Sequence, residues 1–212
     1  AFDEKLLATD YSQKIPKCKS VIQPKLPSTY AREEIEKLIS TVERSSTIGK
    51  RNYAIILMAA RLGLRASDIS KLKFENLHWN TSTIEIEQFK TGKELILPLL
   101  PDVGNAIIDY LRYGRPKSAE PYVLLTEKPP YRHFTTSNVV THVVQRAFIN
   151  AGINTKGRKS GPHSLRHSLG FRMLEQSTVL PVISEVLGHE STKSTRYYLR
   201  IDLKSMRQGM LD

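Results

Sequence analysis

The segment 82–98, STIEIEQFKTGKELILP, has a different hydrophobic period from the rest of the chain. Ile84 and Ile86 alternate with glutamates, and a second apolar run at 95–97 follows a turn that contains Gly92. Strict alternation on both sides of a glycine turn predicts an antiparallel β-hairpin. Elsewhere apolar residues recur at helical spacing, so the chain is predicted to be mainly α-helical with one small antiparallel hairpin or sheet.

Eight segments carry the helical pattern, and the chain contains no internal repeat. They are 27–43, 50–64, 67–77, 103–114, 136–152, 162–176, 181–188 and 194–207. Their predicted N-terminal residues are caps or a first-turn proline: Ser28 or Thr29, Ser67, Ser137 and Pro162. Their predicted C-terminal stops are Gly63, Gly152 and Gly188.

The charge balance points to a polyanionic partner. There are 32 lysines and arginines against 21 acidic residues, a formal net charge of +11. Such an excess is typical of proteins that bind nucleic acid, although a solvated basic surface is the alternative. Cys18 is the single cysteine, which excludes an internal disulfide and a cysteine-based zinc site and fits a reducing compartment. No apolar run approaches the length of a membrane span.

Residues 1–29 are predicted to form a basic arm outside the folded core. The part SQKIPKCKSVIQPKLPSTY is rich in proline and lysine and has little periodicity. Two interpretations remain open for this arm: a disordered chain end, or a basic interdomain linker that follows DNA.

The motif GPHSLRHS places a histidine and an arginine at a predicted helix start. With Pro162 at the first helical position, His163 and Arg166 lie on one face of the first turn. Free backbone N–H groups and the positive end of the helix dipole face the same space, which suits a phosphate. The alternative is a local cap beside a surface salt bridge.

Two other motifs carry basic residues at predicted turns. In GLRASD, Arg65 lies between two helices, and Asp68 could orient its guanidinium towards a phosphate or form an ordinary ion pair with it. In FKTGK, Lys90 at the hairpin turn could protonate a leaving oxygen or simply be solvated, and Lys93 is the competing choice.

The stretch LGHESTKSTRYYLR contains the candidate nucleophile. Gly188 is predicted to end one helix, His189 follows it, and Tyr197 and Tyr198 lie on the next. A tyrosine hydroxyl has a pKa near 10, so it attacks only where neighbours take its proton or stabilise its anion. The tyrosine pair could instead serve packing alone.

Taken together, these motifs over residues 30–212 resemble the catalytic domain of the tyrosine recombinases, the integrases of phages and transposons and their Xer-type and Cre-like relatives. The family orders an arginine, a hairpin lysine, a His-x-x-Arg pair, a histidine and a tyrosine along the chain. By resemblance the catalytic residues are Arg65, Lys90, His163, Arg166, His189 and Tyr198. The family's nine-residue gap after the LGH histidine selects Tyr198 over Tyr197. Asp68 and His167 match supporting positions.

The resemblance implies a site-specific DNA recombinase. Tyr198 would attack a DNA phosphate to give a 3′-phosphotyrosyl intermediate, with the two arginines in place of a metal ion and with no cofactor or ATP. Implied partners are double-stranded DNA and a homotetramer at a Holliday junction, with no membrane and no small-molecule substrate. The expected location is the bacterial cytoplasm, at the nucleoid.

Members usually carry an N-terminal core-binding domain, and we expect none before residue 30. The C-terminal tail, about 200–212, would dock on a neighbouring subunit or fold back on its own domain. Two other functions stay open: strand relaxation by a type IB topoisomerase, and a DNA-binding module without catalysis.

Overall fold

The structure, a computed structural model, describes residues 28–188. Within that range it contains seven α-helices and one three-stranded sheet. The helices are α1 Arg32–Ser40, α2 Thr47–Arg61, α3 Ala66–Ser70, α4 Pro101–Tyr113, α5 Asn138–Asn150, α6 Pro162–Glu175 and α7 Leu180–Val186. The strands are β1 Leu77–His78, β2 Thr83–Glu87 and β3 Glu94–Pro98. The predicted mainly α fold with a small antiparallel sheet is confirmed.

The predictions for the arm up to residue 27, for the helix at 194–207 and for the tail lie outside the described residues. His189, Tyr197 and Tyr198 lie outside them as well. None of the helices formed by residues 28–188 is long and apolar enough to cross a membrane.

The predicted hairpin is present, and a short third strand pairs with it. β2 pairs antiparallel with both β1 and β3, in the order β1-β2-β3. Ile84 lies opposite Leu97 and Ile86 opposite Leu95, and all four side chains are buried. One face of the hairpin therefore belongs to the core, as the alternation predicted.

The core is organised around α2. Every residue from Ala54 to Ala60 is buried, so this helix is enclosed on all sides. It packs against α1, α3, α4, α5 and α6. Because α2 is surrounded in this way, packing holds its C-terminal end in place. The chain continues from that end to Arg65.

The glycines that follow helix C-termini were predicted correctly, whereas most of the serines predicted as N-caps were not. Gly63, Gly152 and Gly188 have φ values of +62°, +60° and +54°, in the left-handed region that ends helices. Ser137 occupies the N-cap of α5, but its side chain makes no capping hydrogen bond.

The caps predicted for α1 and α3 are wrong. Ala31 is the N-cap of α1, and the Glu34 carboxylate accepts a hydrogen bond from its amide at 2.9 Å. Arg65, rather than Ser67, is the N-cap of α3. That helix ends at Ser70, and a 3₁₀ turn at Phe74–Asn76 leads into β1, so the predicted helix over 67–77 is broken.

Candidate active site

Arg166 reaches two chain segments from the first turns of α6. Pro162 is the first helical residue, as predicted, and Arg166, about one turn further on, is buried. The guanidinium donates a hydrogen bond to the carbonyl oxygen of Gly63 at 2.7 Å and another to that of Leu187. It therefore joins the end of α2 to the end of α7.

Arg65 reaches the same end of α7 from the start of α3. It stands at the N-cap of α3, and its Nη2 donates a hydrogen bond to the Gly188 carbonyl at 2.9 Å. Arg65 and Arg166 therefore bond to adjacent carbonyl groups, those of Gly188 and Leu187. The fold thus brings together two guanidinium groups from positions about a hundred residues apart in sequence, and it does so where α7 ends and His189 follows.

The Asp68 carboxylate makes a closer contact with the hairpin than with Arg65. Its Oδ1 accepts a hydrogen bond from the Phe89 amide at 3.1 Å, whereas its Oδ2 lies 3.9 Å from Arg65 Nη1. The carboxylate is buried, so its charge is little screened by water. Asp68 therefore lies between the arginine and the turn that carries Lys90.

The hairpin turn is a compact six-residue loop, residues 88–93. The Gln88 carbonyl accepts hydrogen bonds from the amides of Thr91 at 3.1 Å and Gly92 at 2.8 Å. Gly92 has a φ of +63°, a conformation that glycine adopts without strain. Lys90 and Lys93 are both exposed on this turn. They differ in surroundings, because only Lys90 is among the cations that act on His163.

His163 lies in a cationic environment at the start of α6. Although the residue is exposed by its accessible surface, nearby protein atoms desolvate the ring, and this is the main reason that its pKa is lowered. The positive charges of Arg166, Arg65, Lys159 and Lys90 lower the pKa further. The Nε2 atoms of His163 and His167 lie 2.9 Å apart, so one ring donates to the other. These conditions favour neutral imidazole at position 163.

The basic loop before α6 is fixed to the start of the folded chain. The Tyr30 amide donates to Ser168 Oγ at 2.8 Å, and its hydroxyl donates to the Lys159 carbonyl at 3.0 Å. Arg158 forms a two-pronged ion pair with Glu34, at 2.7 Å and 2.9 Å. This clamp leaves Lys159 exposed beside His163.

Among the predicted residues, the structure groups Arg65, Lys90, His163 and Arg166, with Asp68 and His167 beside them. His189 and Tyr198 are outside the described part. Between residues 28 and 188, no three histidine, cysteine or acidic side chains cluster as metal ligands would. Gln88, which is fully buried next to the lysine turn, was not among the residues predicted from the sequence. Continuing the alternation of Ile84 and Ile86 by one step would have indicated that it faces inwards.

Comparison with known proteins adds a family match over most of the chain. The sequence profile described as the phage integrase family matches residues 29–204. Two Sinorhizobium fredii proteins named "Putative integrase/recombinase", y4rA and y4gC, are 34% and 33% identical over 95% and 88% of this chain. Tyrosine recombinase XerA of Pyrococcus furiosus is 28% identical over 87% of it.

These relatives differ in length. The chain spans 48% of y4rA and 61% of XerA, but 96% of y4gC. Among solved structures, XerA recombinase aligns with a TM-score of 0.69 and 23% identity, over 86% of this chain and 66% of that one. XerH bound to its palindromic difH substrate aligns with a TM-score of 0.72 and 23% identity, over 88% and 53%. At this identity the likeness establishes the shared fold.

Proposed function

Because the chain belongs to the phage integrase family, whose members include the tyrosine recombinases, we propose that it is a site-specific DNA recombinase that cleaves and rejoins strands. The observation that carries the proposal is the meeting of Arg65 and Arg166 at Leu187 and Gly188. Two cations held this close to each other, with the amides that begin α6 nearby, make a site suited to one phosphate.

The two arginines stabilise the charge that develops on the non-bridging oxygens of the phosphate. Two backbone carbonyls hold Arg166 and one holds Arg65, so little reorganisation is needed as the phosphorus becomes five-coordinate. A pre-positioned donor of this kind is worth roughly 3 kcal/mol, or about a hundredfold in rate. Arginines in this position take the place of a divalent cation, so the proposed reaction uses no metal, cofactor or ATP.

In the proposed cleavage, Tyr198 Oη forms a bond to phosphorus while the P–O5′ bond breaks. The tyrosine proton passes to His163, whose lowered pKa keeps its ring neutral at pH 7. His167 orients that ring through the contact between the two Nε2 atoms. The products are a 3′-phosphotyrosyl bond and a 5′-hydroxyl.

Lys90 supplies the proton that the leaving 5′-oxygen needs, and His189 donates a further hydrogen bond to the phosphate. The Lys90 side chain is exposed on a turn, so it can enter a DNA groove as the duplex binds. Because the phosphotyrosyl bond retains the energy of the original phosphodiester, a 5′-hydroxyl from another strand can attack it. This reverse reaction rejoins strands in a new combination.

Charge indicates which face of the sheet meets DNA. The outward-facing side of the hairpin carries Glu85, Glu87 and Glu94, and Glu75 and His78 line the same hollow. That acidic side repels a phosphate backbone, whereas the positive charges of Lys90, Lys159 and the two arginines all act on His163 at the start of α6. We therefore place the duplex against the turn, the start of α6 and the end of α7.

The wider assembly follows from the family. In the proposed organisation, residues 30–212 form the catalytic domain and the basic arm at 1–29 follows the DNA. Four copies assemble on DNA at a Holliday junction through the tail at about 200–212, at the bacterial nucleoid. The net charge of +11 supports a DNA partner.

A trapping assay tests the proposal. The substrate is a pool of duplexes with a randomised core and a nick near the cleavage site, so that the short cleaved fragment diffuses away and rejoining fails. The wild-type chain is expected to form a covalent protein–DNA adduct. Tyr198→Phe should abolish the adduct and leave DNA binding nearly intact, while Tyr197→Phe should retain it.

Each other outcome has a distinct meaning. If Tyr197→Phe abolishes the adduct and Tyr198→Phe does not, the nucleophile is Tyr197. DNA binding without any adduct would indicate a binding module. Relaxation of a supercoiled plasmid without strand exchange between two sites would indicate a topoisomerase.

A further inference from the structure

Gln88 is a buried polar residue beside the turn that carries Lys90. It follows β2 by one position and continues the alternation that buries Ile84 and Ile86, so its side chain faces the interior. Its exposed fraction is 0%. A primary amide loses several hydrogen bonds to water on burial, and a leucine or methionine would fill the same space without that cost. The amide therefore calls for an explanation in terms of its contacts.

The first contact closes the turn. Gln88 Oε1 accepts a hydrogen bond from Thr91 Oγ1 at 2.9 Å, and the Gln88 backbone carbonyl accepts from the amides of Thr91 and Gly92. The side chain and the main chain of Gln88 thus both bond to the opposite side of the loop, at Thr91 and Gly92. Lys90 lies between the residues that are joined in this way.

The second contact is with the end of α7. A Cβ atom added to Gly188 would lie 2.7 Å from Gln88 Cδ and would also collide with Nε2. The planar amide therefore packs directly on the Gly188 backbone. Gly188 is also the residue whose carbonyl receives Arg65, so the lysine turn and the arginine site share one support.

A third contact fixes the next residue along. The Phe89 amide donates to buried Asp68 at 3.1 Å, which ties the turn to α3. Gln88 and Phe89 therefore connect the base of the turn to α7 and α3 respectively. Lys90 follows these two anchored residues, so the position of its backbone is set by both of them.

We propose that Gln88 is a positioning residue, whose buried amide sets the placement of Lys90 relative to the phosphate held at Arg65 and Arg166. The inference rests on the proposed function, in which Lys90 gives a proton to the 5′-oxygen as the P–O5′ bond breaks. Gln88 touches neither DNA nor the reacting atoms. It acts by holding the turn that carries Lys90 at a fixed distance from the Gly188 backbone.

The test uses Gln88→Met, which keeps the length of the side chain and removes its hydrogen bond with Thr91. Single-turnover adduct formation is measured on one cleavable sequence, recovered from the adducts of the wild-type chain. A lysine displaced by about 1 Å is expected to slow cleavage by roughly tenfold to a hundredfold. Lys90→Ala gives the reference for complete loss of the acid.

A second substrate separates positioning of the acid from general damage. Replacing the 5′-bridging oxygen by sulfur gives a leaving group that departs as a thiolate and needs no proton. On this substrate Gln88→Met and Lys90→Ala are both expected to react within about threefold of the wild-type rate. In the double variant on the oxygen substrate, the loss should match that of Lys90→Ala alone, because both changes remove the same proton transfer.

The matched control is Gln145→Met, the same change on the exposed side of α5, which should leave both substrates unaffected. The inference is overturned if Gln88→Met is equally slow with oxygen and sulfur, or if it cleaves the oxygen substrate at the wild-type rate. A wild-type chain that forms no adduct on either substrate overturns the proposed function, and this inference with it.

Discussion

The carboxylate of Asp68 accepts a hydrogen bond from the backbone amide of Phe89, across 21 positions of sequence and at 3.1 Å. It joins the short helix α3, whose N-cap is Arg65, to the turn that carries Lys90. Because the carboxylate is buried, the bond forms in a low-dielectric environment where it is stronger than at the surface. The backbone segments that carry the two basic residues are thus joined directly.

Asp68→Ala is expected to destabilise the fold by leaving the Phe89 amide without an acceptor. Loss of a buried partner of this kind costs about 1–3 kcal/mol in the free energy of unfolding. Asp68→Asn should cost less, because an amide oxygen can still accept from Phe89. Urea unfolding measures both. The control is Asp102→Asn, since Asp102 forms an exposed ion pair with Arg61, and such pairs contribute about 1 kcal/mol or less. Equal losses in Asp68→Asn and Asp68→Ala would contradict the assignment to the Phe89 bond.

Gly188→Ala is expected to destabilise the end of α7 for two reasons. Alanine at a φ of +54° costs about 1 kcal/mol in backbone strain, and its Cβ would collide with the Gln88 amide. In a Gln88→Ala background the collision disappears and only the strain remains. A double-mutant cycle by urea unfolding should therefore show that Gly188→Ala costs less when Gln88 is already alanine. Additive losses would mean that a Cβ atom at position 188 does not clash with the Gln88 side chain.

The pKa of His163 is expected to lie below 6.5, chiefly because the ring is desolvated and then because cations surround it. An NMR titration of its ring protons measures the midpoint. Lys159→Met removes one of those cations, so it should raise the midpoint. Lys156→Met, a change to another exposed lysine of the same loop, should leave it where it is. An unchanged midpoint in Lys159→Met would exclude the electrostatic contribution of that side chain.

The same lowered pKa gives the fold a pH dependence of defined sign. As pH falls below about 6.5, the unfolded chain takes up a proton at His163 before the folded chain does. The wild-type fold therefore loses stability over that range, down to the pKa of the folded state. His163→Asn lacks this titration, so its Tm should fall less than the wild-type Tm between about pH 7 and about pH 5.5. A parallel decline would show that the histidine does not contribute.

Glu34→Gln is expected to loosen the clamp on the loop before α6. The Arg158 guanidinium lowers the pKa of Glu34, so the pair stabilises the fold above the usual carboxylate range and loses that contribution as pH falls through it. With two short bonds and partial burial, the loss at neutral pH should be about 1 kcal/mol. Thermal unfolding measures it, with Glu33→Gln, an exposed neighbour on α1, as the control. A loss of the same size in acid would argue against an ionic contribution.

Sequence by itself determined the features that depend on neighbouring residues. Alternation around Ile84 and Ile86 predicted the hairpin, because strand side chains alternate between a buried and an exposed face. Pro162 predicted the start of α6, since its fixed φ suits a first turn. Gly63 and Gly188 predicted helix ends, because glycine adopts the left-handed conformation that follows many helices without the strain of a side chain. Each of these preferences acts within a few positions of the chain.

Only the tertiary structure decided how distant parts meet. Arg65 and Gly188 are 123 positions apart, and no local pattern predicts that one bonds to the other. Ser28 does not cap α1, because its hydroxyl instead accepts a hydrogen bond from the Lys159 amide at 2.8 Å. The two-residue strand β1 forms only because β2 offers a free edge. Such contacts depend on the packing of the whole core, whose energy is shared among segments that are remote in sequence.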